Sequence, residues 1–271
     1  MEKEILKRLT TLGHPHRMAV FRLLVRRYPD DVSAGDIGAA LGVKPSTLSV
    51  YLSALREIGL ISQTRHGTSL LYKAQVSAVQ EIMDYLLLDC GRGRPDIGGG
   101  RNLALPTDRK LNVLFICSAN SARSIFAEAI LRHEAGQVFN VYSAGVTPAT
   151  EPNPMAMRLL RNKGYDVSDL RSQNIDVYQA KDAPELDFVF TVCDESANEE
   201  CPPWSGQPIS AHWGVPDPVT ASGSEAERAL AFQNAFAMLR HRIQAFAALP
   251  FETLDRSSLQ YRVDDLAKDK D

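Results

Sequence analysis

The sequence predicts two domains of different class: a helix-rich domain with one hairpin, then an α/β domain with a parallel sheet. Three observations lead there. The 271 residues exceed one ordinary domain, and 44% hydrophobic content suffices for packed cores. Residues 90–110 are rich in Gly and Pro and carry no period. Before that break apolar residues recur at helical spacing. After it, short apolar runs alternate with helical segments, as in a parallel sheet covered on both faces.

Composition narrows the function classes. No stretch approaches 18 consecutive apolar residues, and the amphipathic start, Met1 to Leu9, lacks a signal-peptide core, so no membrane association and a cytoplasmic location are expected. Four cysteines (Cys90, Cys117, Cys193, Cys201) are too few for a disulfide scaffold and read as catalytic or redox-active. The net charge of −3 is uneven. Residues 1–88 carry 11 Lys and Arg against 8 Asp and Glu, which permits nucleic-acid contact there.

Residues 2–12 and 16–27 read as helices, with Pro15 at a helix start. Ser33 is placed to cap a short helix over 33–41, and Gly42 turns the chain. In the next helix, 45–58, apolar residues at 48, 52, 55 and 58 form one face. Lys44 precedes it, and Ser46, Thr47, Ser49, Val50 and Tyr51 lie on the opposite side, as a recognition helix offers small polar groups to a major groove. Residues 60–72 read as a hairpin with Arg65 and His66 at its tip, a wing suited to phosphate or minor-groove contact.

Through Leu12-Gly-His-Pro-His-Arg-Met-Ala-Val-Phe21, Ser46-Thr-Leu-Ser49 and Leu55-Arg-Glu-Ile-Gly-Leu60, this third resembles the ArsR-type winged helix-turn-helix repressors over nearly all of residues 1–88. The resemblance implies an operator of double-stranded DNA and a homodimer built by the first helix and a helix near 75–88. Metal-sensing members carry a cysteine pair at the start of the helix equivalent to 33–41, which is absent here. Cys90 alone does not make a soft three-sulfur site within one subunit. Residues 89–110 are expected to be a flexible linker.

Residues 113–116 form a short apolar run that stops at Cys117, and Ile125 onward has helical spacing. Between them lie Ser118, Ala119, Asn120, Ser121 and Ala122, a small-residue loop able to turn backbone N–H groups inward ahead of a helix N-terminus. An oxyanion fits there, with a thiol on one side and the guanidinium of Arg123 on the other. The same donors and Ser124 are expected to depress the Cys117 pKa. Strands near 139–145, 186–193 and 207–213 and helices over 154–164 and 225–249 follow, so Cys117, Cys193 and the segment after Trp213 should converge at the strands' carboxyl ends. Residues 251–271 read as a polar tail. Cys193 and Cys201, eight apart, suit a dithiol that passes on a disulfide. Asp217, before Pro218, is a carboxylate on a proline-stiffened loop.

In this order, Cys117-x5-Arg123-Ser124, Ser143-Ala-Gly145, Cys193 with Cys201, and His212-Trp-Gly-x-x-Asp217-Pro resemble the low-molecular-weight phosphatase fold in its thioredoxin-coupled arsenate reductase branch, over 111–250. The resemblance implies Cys117 as nucleophile, Arg123 as oxyanion clamp, Ser124 as thiolate stabiliser, Asn120 as keeper of the loop's shape and Asp217 as general acid. Cys193 would attack the Cys117–arsenic adduct and Cys201 would carry the disulfide out to thioredoxin. No tightly bound cofactor or metal is implied, although some relatives bind potassium, and Asn120, Glu128 and Ser143 are the residues in position for it. A tyrosine phosphatase, or a non-catalytic oxyanion or redox sensor, each joined to a winged helix, are the competing expectations.

Overall fold

The computed structural model describes residues 2–90, 105, 106, 108–198, 204 and 208–268. The chain divides into two compact units, residues 1–103 and 104–271. Most of the expected linker, 91–104 and 107, lies outside the described residues. Its two ends do not behave as linker: residues 89–90 finish a helix, and Leu105 packs against the core of the second unit.

In the first unit, α1 (Glu2–Leu12) and α2 (Pro15–Arg26) precede β1 (Val32–Ser33), α3 (Ala34–Leu41), α4 (Pro45–Glu57), the hairpin β2 (Ile61–His66) and β3 (Ser69–Ala74), and α5 (Val76–Asp84), which runs on as a π-helical turn, Tyr85–Cys90. Ser33 caps α3 by accepting the Asp36 N–H at 3.1 Å, and Gly42 ends it with a left-handed φ of 62°. Leu48, Leu52 and Leu55 of α4 are buried in one core with Leu23, Leu24 and Ile37. The two-residue β1, which no sequence pattern announces, pairs antiparallel with β3 through Val32 opposite Tyr72. Helix-turn-helix and wing are therefore present as read.

The second unit is a four-stranded parallel sheet in the order β5-β4-β6-β7, from β4 (Leu111–Cys117), β5 (Phe139–Gly145), β6 (Phe188–Thr191) and β7 (Ile209–His212). Every residue of β4 is buried, as expected for a central strand covered on both faces. Helices α6 (Arg123–Ala135), α7 (Pro154–Asn162), α8 (Asp194–Asn198), α9 (Glu225–Ala247) and α10 (Arg256–Leu266) complete it. Ser224 and Glu227 form a reciprocal capping box on α9. Because the chain leaves β4 toward β5 on one side and reaches β6 on the other, the carboxyl end of β4 is the switch point where such sheets bind ligands.

The expected polar tail is overturned. Helix α10 occupies 256–266, capped by Asp255, and buries Leu259 and Val263 completely in the main core. Trp213 stacks on Phe190 with 4.0 Å between centroids and donates its Nε1 hydrogen to the Val263 carbonyl at 3.2 Å. Only two apolar positions among many polar ones are buried, so the helix carries almost no amphipathic signature. Among the described residues no helix is long and apolar enough to cross a membrane.

Both tryptophans, Trp204 and Trp213, lie in the second unit, so their fluorescence in urea unfolding reports on it alone. Leu259→Ala should destabilise that unit by about 2–4 kcal/mol. A solvated tail would give a change below about 0.5 kcal/mol.

Candidate active site

The loop after β4 is shaped by where its carbonyls go. The carbonyl oxygens of Cys117, Ser118, Ala119 and Ser121 accept the N–H groups of Val146, Thr147, Ala149 and Asn153 at 2.8–3.3 Å, and the Asn120 carbonyl accepts the Ser172 hydroxyl at 2.7 Å. A trans peptide points its carbonyl and the following N–H in opposite directions. With the carbonyls tied outward, the N–H groups of residues 119–122 are left facing inward, ahead of the N-terminus of α6. That makes an anion cradle.

Asn120 fixes the turn. It is completely buried and has a left-handed φ of 45°, which asparagine tolerates better than other non-glycine residues. Its Nδ2 donates to Ser124 Oγ at 2.9 Å and Ser143 Oγ at 2.8 Å, its Oδ1 accepts the Gln173 N–H at 2.8 Å, and its own N–H reaches Cys117 Sγ at 3.2 Å. Gly145 presses against the loop from β5. A Cβ there would stand 2.8 Å from Ser118 O and 2.9 Å from Asn120 N, so only glycine fits.

Cys117 is buried, with Ser124 Oγ 2.9 Å from its sulfur. The expected depression of its pKa is corrected by the structure. Burial is the strongest influence and pushes the thiol up, and the neighbouring Cys193 adds to it; Ser124 and Arg123 pull in the opposite direction without prevailing. Burial likewise raises the Glu128 carboxyl above the usual range, against the Ser143 hydrogen bond and the Arg132 ion pair.

Cys193 does converge on the loop. Its sulfur accepts the Ser118 N–H at 3.1 Å, one peptide beyond Cys117, and like Cys117 it is a buried free thiol. Cys201 lies outside the described residues. Asp217 also converges: its Oδ2 accepts Arg123 Nη2 at 2.6 Å, while Oδ1 caps the short turn Pro218–Thr220 through the Val219 N–H at 3.0 Å. Arg123 Nη1 holds the Val215 carbonyl at 3.2 Å. Arg242 of α9, buried and not foreseen, donates to the Gly214 carbonyl at 3.2 Å and steadies the same segment. Ser172, Gln173 and Ser196 were also missed. Only Ser196 left a signal, its three-residue offset from Cys193.

The residues read for potassium meet one another instead. Ser143 donates to Glu128 Oε2 at 2.6 Å, and Asn120 turns its amide nitrogen, not its oxygen, toward Ser143. Asn120 therefore does not fit as an oxygen ligand, and no chemistry is routed through a cation.

In the first unit Lys44, Ser46, Thr47, Ser49 and Val50 are exposed along the start of α4, and Arg65 and His66 at the wing tip. Tyr51 is less exposed than these. It is half-buried, its ring stacked on His16 at 5.7 Å and tilted against His14 at 5.5 Å.

A parallel sheet with this cradle at its switch point defines a phosphatase-type oxyanion site. Residues 112–259, more than half of the chain, match the low molecular weight phosphotyrosine protein phosphatase family, and the chain belongs to it. Within that class it is 36% identical over 138 residues to an arsenate reductase of Bacillus licheniformis, covering 51% of this chain and 96% of that protein. An arsenate reductase of Bacillus subtilis is 34% identical over 135 residues, covering 50% and 94%. The crystal structure of an arsenate reductase from Archaeoglobus fulgidus matches at 25% identity with a TM-score of 0.42, covering 51% of this chain and 99% of that one. Residues 12–64 match a helix-turn-helix domain.

Ser124→Ala removes the hydroxyl that lies 2.9 Å from the Cys117 sulfur. Alkylation of Cys117 by iodoacetamide, resolved by peptide mass spectrometry across pH, should shift to more alkaline pH in the variant, with a loss of about tenfold or more at pH 7. An unchanged profile would remove Ser124 from this role.

Proposed function

We propose that the second unit reduces arsenate to arsenite through a three-cysteine relay with thioredoxin as external reductant, and that the first unit is an ArsR-like DNA-binding regulator, the whole working in the cytoplasm. The observation that carries the chemistry is the second thiol, Cys193, against the loop that holds the first. Arsenate lies in the cradle, clamped by Arg123, which it draws from Asp217. Cys117 attacks arsenic, Asp217 protonates the departing oxygen, and water leaves. Cys193 then attacks the Cys117 sulfur: an S–S bond forms, the S–As bond breaks, and its electron pair stays on arsenic, taking it from the +5 to the +3 state. Arsenate and two thiols become arsenite, a disulfide and water. Cys201 exchanges into that disulfide and presents it to thioredoxin.

A phosphatase needs only the first half of this sequence, with water in place of Cys193. The Asp217-Pro-Val219 segment carries no aromatic side chain for gripping a phosphotyrosine, which favours the reductase. Cys193→Ser and Cys201→Ser should each abolish arsenate turnover with thioredoxin. Sustained turnover in either variant would defeat the three-thiol relay, and steady hydrolysis of an aryl phosphate by the Cys193→Ser protein, without arsenate turnover in the parent, would make the protein a phosphatase. Consumption of only one equivalent of arsenate per subunit, thioredoxin present, would support a sensor.

For the first unit, the exposed start of α4 and the wing tip support operator binding. Leu6 of α1, Val76 and Met83 of α5 and Leu86 beyond it are exposed apolar side chains on the two helices expected to pair in a homodimer. Binding to the protein's own promoter should weaken steeply between 50 and 200 mM salt, by about tenfold or more. Affinity for that promoter no greater than for random duplex at matched salt would exclude specific repression.

A further inference from the structure

Ser196, the third residue after Cys193, is 3% exposed, and nothing in the family-level reading gives it a role. Its hydroxyl oxygen accepts the Cys193 S–H at 3.1 Å and lies 3.0 Å from the Cys193 carbonyl and 3.3 Å from the carbonyl of Ile116, the residue before Cys117. Its backbone N–H points at Cys193 Sγ from 3.4 Å. One hydroxyl thus bridges the end of β4, which carries Cys117, and the segment after β6, which carries Cys193.

We propose that Ser196 is the positioning residue of the second thiol: it holds Cys193 against the anion loop and stabilises its thiolate, as Ser124 does for Cys117. This rests on reading Cys193 as the thiol that attacks Cys117. The two sulfurs are equipped in parallel. Cys117 has one loop N–H, from Asn120, and one serine hydroxyl; Cys193 has one loop N–H, from Ser118, one further N–H and one serine hydroxyl. A thiolate at 1% exposure requires such donors, because too little water reaches it to solvate the charge.

The hydroxyl suits both protonation states. While Cys193 is a thiol, Ser196 Oγ accepts its hydrogen and gives its own to a carbonyl. Once that proton has gone to solvent, rotation about one bond turns the serine hydrogen onto the sulfur, and both backbone N–H groups stay where they are. Cys193 then attacks Cys117 Sγ with the electron balance given above. A serine that served only to bond the Cys193 carbonyl within α8 would have no effect on how the thiol ionises.

The test is made on the full chain with Cys201→Ser, so that the relay stops at the Cys117–Cys193 disulfide. Two variants are compared with this parent: Ser196→Ala, which lacks the hydroxyl, and Ser196→Thr, which keeps it. Peptide-resolved alkylation of Cys193 by iodoacetamide is followed across pH, and single-turnover disulfide formation is followed on adding arsenate. The alanine variant should alkylate at more alkaline pH and form the disulfide about tenfold or more slowly at pH 7, converging with the parent at high pH; the threonine variant should follow the parent. Coincident alkylation profiles for alanine and parent would overturn the role of Ser196, as would a threonine variant that behaves like alanine. If arsenate yields no disulfide in any of the three proteins while the alkylation shift persists, the arsenate reading falls and the stabilisation of the Cys193 thiolate stands.

Discussion

The site depends on holding one buried asparagine in a conformation that most residues avoid. A left-handed backbone at a residue with a Cβ costs on the order of 1 kcal/mol and persists only where the surroundings over-determine it. Around Asn120 they do: its side-chain amide, its N–H and its carbonyl are all bonded, to groups from β4, β5, α6 and the 172–173 segment. Reversing the chain there turns the following N–H groups inward and holds the N–H of Asn120 itself on the Cys117 sulfur. Gly145 belongs to the same constraint, since a side chain on β5 would displace the peptides that lead from Ser118 into Asn120.

That constraint explains what was legible in the sequence and what was not. The loop, its thiol, its guanidinium and the serine at the head of α6 follow one another between a strand and a helix, so Cys117, Arg123 and Ser124 announce themselves by spacing. Asn120 could be named there, but its outer partners could not. Ser172 and Gln173 lie about fifty residues on, in a segment of no periodicity, and they act through a hydroxyl and a backbone N–H. A backbone donor leaves no trace in residue identity. The same holds for α10, whose two buried side chains are too few to produce a period, and for β1, too short to show alternation. In the first unit the helical stripes of α4 and the cap at Ser33 were readable because they are local; the stacking of His16 on Tyr51 joins side chains 35 residues apart in sequence.

Electrostatics separates this loop from a simple anion trap. Arg123 is shared between the Val215 carbonyl and Asp217, so the cation and the carboxylate are held together by one contact and parted by any anion that competes for the guanidinium. Anion binding and the placement of Asp217 are thereby coupled through one side chain. Arg242 and the capped turn at Pro218–Thr220 keep the backbone of that segment in place while the side chains exchange partners.

The proximity of two buried thiols also orders the chemistry. Each thiolate opposes the other, and Cys193 contributes to the raised pKa of Cys117, so the low-dielectric pocket does not hold both charges at once. Once Cys117 is bonded to arsenic its sulfur carries no charge, so a negative charge on the attacking sulfur meets no like charge there. In the proposed relay the second nucleophile is therefore released by completion of the first step, and attack before the adduct exists is disfavoured by the same repulsion. A phosphatase gains nothing from this arrangement. A second thiol against its loop would hinder the ionisation of the first, and water would serve as the second nucleophile without that penalty.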